Sequence, residues 1–225
     1  MRRLIRFLLF FLLISVPTVA TSAAVNDGWK KVGEEEGIVG YSRSTTKSKV
    51  DEIKAIGVVD APVAVVEAVI RDISSMPEYI FLCKEAFPIN TAEMKSDGDV
   101  IYFYSLTDLP FPVWDRDAVA RSVWTIDQKT GTIYCHTDGV KTSYQSRKGV
   151  IRMPYLMVDC TLIPRGAGQT EVIYQVLGDP GGDLPSFVVN MLIKDYGIKS
   201  VAGLRKMVKK DKYKNAKAVV TKTTR

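Results

Sequence analysis

The single histidine, His136, follows a cysteine, Cys135. A thiol beside an imidazole is the raw material of an activated nucleophile. The local spacing works against that chemistry. Residues 131–138 read as a strand, where adjacent side chains point to opposite faces, so the thiol and the imidazole diverge. His136 is therefore read as structural. A second candidate is Asp115-Arg116-Asp117, at the start of another strand. It is either a local ion-pair network or a carboxylate pair held by an arginine for acid–base work. Three cysteines, Cys83, Cys135 and Cys160, lack the close Cys/His spacing of a zinc site. Gly166-Ala167-Gly168 lies between strands and opens no helix, so it reads as a turn and not as a phosphate cradle.

The elements that would position these residues form one unit, from about residue 29 to residue 210. Short β-type runs occupy 37–41 and 53–59; in the second, Ile53, Ala55, Gly57 and Val59 share a face. A helix follows, with Pro62 in its first turn and Val63, Val66, Ile70 and Ile73 as its buried stripe. Ser74 or Ser75 caps a further short turn before Pro77. From residue 83 to 176 the pattern is strands punctuated by glycines, with strands near 100–106, 118–126, 131–138, 148–162 and 170–177. Sequential strands joined by short turns should pair as an antiparallel meander. Asp179-Pro180-Gly181-Gly182 breaks the last strand, and a long helix spans about 185–210. Its apolar stripe is Val189, Ile193, Gly197, Val201, Leu204 and Val208. Gly197 on that stripe marks either a kink or a close approach to the backbone.

The chain has 225 residues and a formal charge of +6, which suggests an anionic partner until the charges are located. Arg2, Arg3 and Arg6 precede an apolar run at 7–16 and the small residues 20–24. That order describes a secretory signal peptide over 1–23, cleaved after Ala23 or Ala24; an uncleaved anchor is the alternative. The run is shorter than the roughly 20 residues of a membrane span. The expected locale is outside the cytoplasm, periplasmic or secreted. From Arg205 to Arg225 there are nine Lys/Arg and one acid. Residues 213–225 read as a basic, disordered tail, either solubilising or in contact with an anionic membrane. Between these ends, residues 25–204 hold 19 bases and 24 acids, a net charge of −5. An acidic domain with basic ends argues against nucleic-acid binding. With an odd cysteine count at least one thiol is unpaired; buried free thiols are the expected state, and a Cys135–Cys160 bond is the alternative.

Four segments together resemble the START family, the steroidogenic-acute-regulatory-related lipid-transfer domains. They are Glu36-Gly37-Ile38-Val39-Gly40-Tyr41-Ser42-Arg43, Leu109-Pro110-Phe111-Pro112-Val113-Trp114-Asp115-Arg116-Asp117, Gly149-Val150-Ile151-Arg152, and 179–190, which opens Asp179-Pro180-Gly181-Gly182. The second and fourth look most like the phosphatidylcholine-transfer branch. The resemblance implies an α+β helix-grip fold over residues 24–212: a curved antiparallel sheet around a hydrophobic tunnel, closed by the long C-terminal helix as a lid. It implies one bound lipid, sterol or other apolar molecule, carried between membranes by a monomer without a cofactor. The ligand-facing residues are then expected to be Phe103, Ser105, Ala118, Ala120, Ser122, Val189, Ile193, Gly197 and Val201. Trp114, in a loop with an apolar tip, is the expected membrane contact. Phosphatidylcholine-binding relatives place an arginine in the loop after the first helix, where this chain has Ser74-Ser75-Met76-Pro77-Glu78-Tyr79. Other relatives place a cavity arginine where this chain has Ser122. An enzyme of the cyclase or hydrolase type, or a small-ligand sensor, are the alternatives on the same fold.

Overall fold

The computed structural model describes residues 27–145, 147–221 and 223. The expected signal peptide at 1–23 lies outside the described residues. Strands β1 (Lys30–Glu35) and β2 (Ile38–Arg43) form a hairpin. Its two turn residues, Glu36 and Gly37, both have positive φ, the conformation that matches the twist of a tight hairpin. Strand β3 (Glu52–Val59) pairs with β2 and buries Ile53, Ala55, Gly57 and Val59, the face expected from its alternation.

Helix α1 (Val63–Arg71) and a 3₁₀ turn (Ile73–Glu78) carry the chain across to strand β4 (Cys83–Ile89). Strands β5 (Val100–Thr107), β6 (Asp115–Ile126) and β7 (Ile133–Gly139) follow, each antiparallel to its predecessor. The region expected as one strand at 148–162 is two. Strand β8 (Val150–Arg152) pairs in parallel with the start of β6, and β9 (Tyr155–Arg165) pairs with β7. Pro154, which has no N–H to give a ladder, stands at the break. Strand β10 (Gln169–Asp179) pairs with β9 and then with β3. The sheet order is β1-β2-β3-β10-β9-β7-β6-β5-β4, and the sheet curves around helix α2 (Ser186–Met207). This is the expected α+β helix-grip architecture.

One expectation about a helix face and one about the tail need correction. On α1 the most buried residues are Val65, Val66 and Val69, with Glu67 at 0% exposure, while Val63 and Ile70 are only partly buried. The helix is covered on two sides, one by the sheet and one by the C-terminal segment. That segment also corrects the reading of 213–225 as a disordered tail over the described residues 213–221. Tyr213 and Val220 are buried, the Val219 and Val220 N–H groups donate to the Glu67 carboxylate at 3.1 and 2.9 Å, and Thr221 bonds Asp99. A buried carboxylate needs donors, and the tail backbone supplies two of them beside Arg71 Nε at 2.7 Å.

Helix α2 is pressed close to its surroundings by glycines. A Cβ at Gly197 would stand 2.9 Å from Ala55 Cβ, and one at Gly203 would stand 2.4 Å from the Tyr79 carbonyl oxygen. Ile198 and Val201 fill the space above Gly40 and Gly57. Gly197 therefore marks a close approach of helix to sheet within an unbroken α2, not a kink.

Candidate functional site

Between the sheet, α2 and the 3₁₀ turn lies an apolar cavity. It measures about 170 Å³, smaller than the roughly 300–1,000 Å³ of typical small-ligand pockets.

Strand alternation places the wall. Phe103, Ser105 and Thr107 of β5 line the cavity, as do Arg116, Ala118, Ser122 and Trp124 of β6. Ala120 shares that face but is sealed under Ile73, Ala86 and Phe103, so it does not reach the cavity. On α2 the lining residues are Leu192, Tyr196, Ser200 and Leu204, one helical row. The expected Val189, Ile193, Gly197 and Val201 form the neighbouring row and do not line it. Gly197 and Val201 instead meet β3, because the helix approaches the sheet on that side. Of the nine expected ligand-facing residues, the wall therefore brings together Phe103, Ser105, Ala118 and Ser122.

Several lining residues went unnoticed in the sequence. Trp124 and Thr137 follow from the same alternation that gave Ser122. Tyr196 and Ser200 are polar and gave no apolar signal. Ser122 Oγ and Thr137 Oγ1 lie 2.7 Å apart, and the Cys135 thiol is 3.8 Å from Thr137 Oγ1. Cys135 and Cys160 face each other in register across β7 and β9, and all three cysteines are free. Burial pushes the Cys135 thiol up to about 11 and Cys83 to about 12, and Cys160 also rises well above its ordinary value. The same desolvation raises Tyr79, Tyr174 and Tyr196. None of these groups is activated as a base or a nucleophile at neutral pH.

His136 is on the opposite, outer face, hydrogen-bonded to Asp159 at 2.6 Å and Asp138 at 3.0 Å. This bears out the divergence of thiol and imidazole. The acid-rich triplet also separates. Asp115 accepts from the Leu109 N–H and contacts Lys84. Asp117 lies on the side of β6 away from the cavity, buried, and takes a two-pronged bond from Arg152, at 2.6 and 3.1 Å. Arg152 thus faces away from the cavity, with its remaining bonds to the Thr142 and Tyr144 carbonyls.

Arg116 is 3% exposed and sits at one end of the cavity. Its guanidinium donates to the carbonyls of Trp114, Pro180 (2.7 Å) and Gly181 (3.0 Å). Desolvation lowers its pKa. It stitches the 109–114 loop to the loop that enters α2. The 109–114 loop and the first turn of α2 carry the most exposed aromatics among the described residues: Phe111 at 94%, Trp114 at 61% and Phe187 at 53%. Trp114 was expected there; Phe111 and Phe187 complete an apolar rim. Among the described residues no helix is long and apolar enough to cross a membrane, and no cluster of potential metal ligands occurs.

Comparison with known proteins agrees with this geometry. The family model of the START domain matches residues 19–214. An uncharacterized protein of Pseudomonas aeruginosa is 34% identical over 192 residues, 85% of this chain and 92% of that protein. The phosphatidylcholine transfer protein of Mus musculus is 24% identical over 171 residues, covering 74% of this chain and 77% of that protein. Among solved structures, a STAR-related lipid transfer protein fragment from Xanthomonas axonopodis superposes with a TM-score of 0.71 at 25% identity, over 82% of this chain and all of that one. Human StAR-related lipid transfer protein 5 shares the fold, with a TM-score of 0.69 at 18% identity over 82% and 88% of the two chains.

Proposed function

The chain belongs to the START domain family, and from that premise we propose that it is an exported carrier that holds one lipid-like molecule and moves it between membranes. The observation that carries this reading is the apolar cavity, whose thiols and phenols are held in their neutral forms. Such a wall solvates an acyl chain or ring system; its charged residues are Asp51 and Arg116, and Arg116 is already held by three carbonyls. That is the ground for preferring a carrier over a cyclase or hydrolase.

Transferring a chain of about 16 carbons out of water is worth roughly 13 kcal/mol, at about 0.8 kcal/mol per methylene. Release into water is then too slow to be useful, and exchange takes place at a membrane. The rim of Phe111, Trp114 and Phe187 is the proposed docking surface, because it is apolar, exposed and tied by Arg116 to the cavity end. Tilting α2 away from the rim opens the cavity there. Residues 1–24, a basic start followed by an apolar run and small residues, support export.

The test is native mass spectrometry and lipid extraction of the mature protein purified from a homologous host. The expected result is one lipid-like molecule per chain. A chain that is always empty, and that takes up nothing from vesicles, would refute the reading.

A further inference from the structure

Arg116 and Trp124 are the first and last residues of β6 on the cavity wall, about 26 Å apart along the strand. Arg116 holds the mouth end through three carbonyls. Trp124, 1% exposed, stands across the inner end. Among the described residues its indole Nε1 has no hydrogen-bond partner. The ring is therefore held by packing and by the guanidinium of Arg71, 4.2 Å from its centre. At about 170 Å³ the cavity is smaller than a typical small-ligand pocket, so a long-chain occupant needs part of the wall to give way.

Arg71 is in turn seated beside the C-terminal strap, residues 213–221. Its Nε donates to Glu67 at 2.7 Å, its Nη1 donates to the Gly98 carbonyl at 2.6 Å, and its Nη2 lies 3.6 Å from an Asp99 oxygen. Glu67 and Asp99 are also the two carboxylates that anchor the strap. Glu67 accepts from the Val219 and Val220 N–H groups, and Asp99 accepts from the Thr221 N–H and hydroxyl, at 3.1 and 2.7 Å. The strap and Arg71 thus share both acids. Apart from half-buried Ala216, residues 214–219 are exposed, and the apolar hold of the strap on the core is Tyr213, Ala216 and Val220. A segment with so few anchors can leave the surface while the sheet stays folded.

We propose that the strap is a latch on the inner end of the cavity. Docked, it fixes Glu67 and Asp99; they fix Arg71; and Arg71 keeps the Trp124 ring across that end. Undocking removes four donors from the two carboxylates. Arg71 is then drawn toward the uncovered acids, and the indole, which no hydrogen bond holds, turns aside and lengthens the cavity. Short occupants fit the latched form and long ones require the unlatched form. Linkage makes this reciprocal: a long occupant loosens the strap as much as an undocked strap favours a long occupant. The latch rests on the carrier reading and adds a control on occupant length, at the end of the cavity away from the mouth.

The experiment uses the delipidated mature chain with its C-terminus intact, and decane and hexadecane as probes. Binding is read by displacement of a fluorescent apolar dye, and the strap by hydrogen exchange of the Val219 and Val220 amides. In the parent, saturation with hexadecane is expected to speed that exchange at least tenfold, while decane leaves it within twofold of the empty protein. Val220→Lys puts an ammonium where the buried valine sits and so undocks the strap. It is expected to raise the ratio of hexadecane to decane affinity at least tenfold over the parent. Should that variant not fold, or its strap stay docked, the exchange measurement on the parent decides alone. Strap exchange that is the same with either alkane, or an unchanged affinity ratio in folded Val220→Lys with its strap undocked, overturns the latch and leaves the carrier reading standing. Failure of both alkanes to bind overturns both.

Discussion

Gly203→Ala tests how closely α2 is clamped to the turn beneath it. The added Cβ would lie 2.4 Å from the Tyr79 carbonyl oxygen and 2.7 Å from Tyr79 Cα. Both are backbone atoms of a turn fixed by the Tyr79 and Ile80 N–H bonds to the Met76 carbonyl, so neither rotates away. In an isolated helix, alanine is favoured over glycine by about 1 kcal/mol. Overpacking of a rigid contact costs about 1–3 kcal/mol, and a helix shift of the order of 1 Å adds to it by straining the Phe81 N–H bond to Ser200 Oγ and the seat of Leu204. The clash exceeds the propensity gain, and a net loss of about 2 kcal/mol is expected. Gly197→Ala is the internal comparison. There the near atom is the Ala55 methyl at 2.9 Å, with backbone no closer than 3.6 Å, so small shifts relieve the contact. Its stability should stay within about 1 kcal/mol of the parent, because the propensity term offsets the crowding. Urea unfolding followed by circular dichroism measures both. Gly203→Ala as stable as the parent, or Gly197→Ala the more damaging of the two, would refute the reasoning.

Removing residues 215–225 takes away two backbone donors to Glu67 and the buried Val220; a loss of about 2–4 kcal/mol in urea unfolding is expected, and an unchanged midpoint would mean the tail does not dock. His136 has its pKa raised by its hydrogen bond to Asp159 and by the Asp138 charge, so its contribution is full below the unfolded value near 6.5 and fades as pH rises through the folded one. The side chain is half-exposed, so the effect is small: the midpoint difference between parent and His136→Gln should shrink between pH 6 and pH 8.5, and a difference independent of pH would contradict it. With Cys83 and Cys135 pushed up to about 12 and 11, and Cys160 also raised well above its ordinary value by burial, the folded chain should react slowly with a disulfide reagent at pH 8. Unfolded without reductant, it should yield three thiols; a yield of one would identify a Cys–Cys bond.

How far the site could be read from the sequence depended on the element that carries it. On a strand the side-chain period is two, so fixing one residue of β6 fixes its neighbours, and Ala118 and Ser122 fell on the cavity side as expected. On α2 the residues divide among several rows about 100° apart. The apolar row containing Gly197 and Val201 was visible, but it serves the contact with β3. The cavity row carries Tyr196 and Ser200, whose polarity conceals their burial. The tail was misread for a different reason. Its anchor is a carboxylate about 150 residues away, and nothing in a lysine-rich segment announces a distant acceptor.

The residues that carry the family resemblance and those that line the cavity overlap only in part, at Leu109, Arg116 and Pro180. Arg116, from one motif, clasps the Pro180 and Gly181 carbonyls of another. Arg152, from a third, neutralises the buried Asp117 on the side of β6 away from the cavity. A buried guanidinium bound to three carbonyls spanning two loops fixes their relative position, which an apolar contact of the same size would not. These motifs therefore build the cavity's mouth and the exposed rim beside it, and they explain why the chain matches carriers as a fold. Most of the cavity wall comes from elsewhere, among it Ser122, Trp124 and Thr137 on the strands and Tyr196 and Ser200 on α2, none of which lies in a quoted motif.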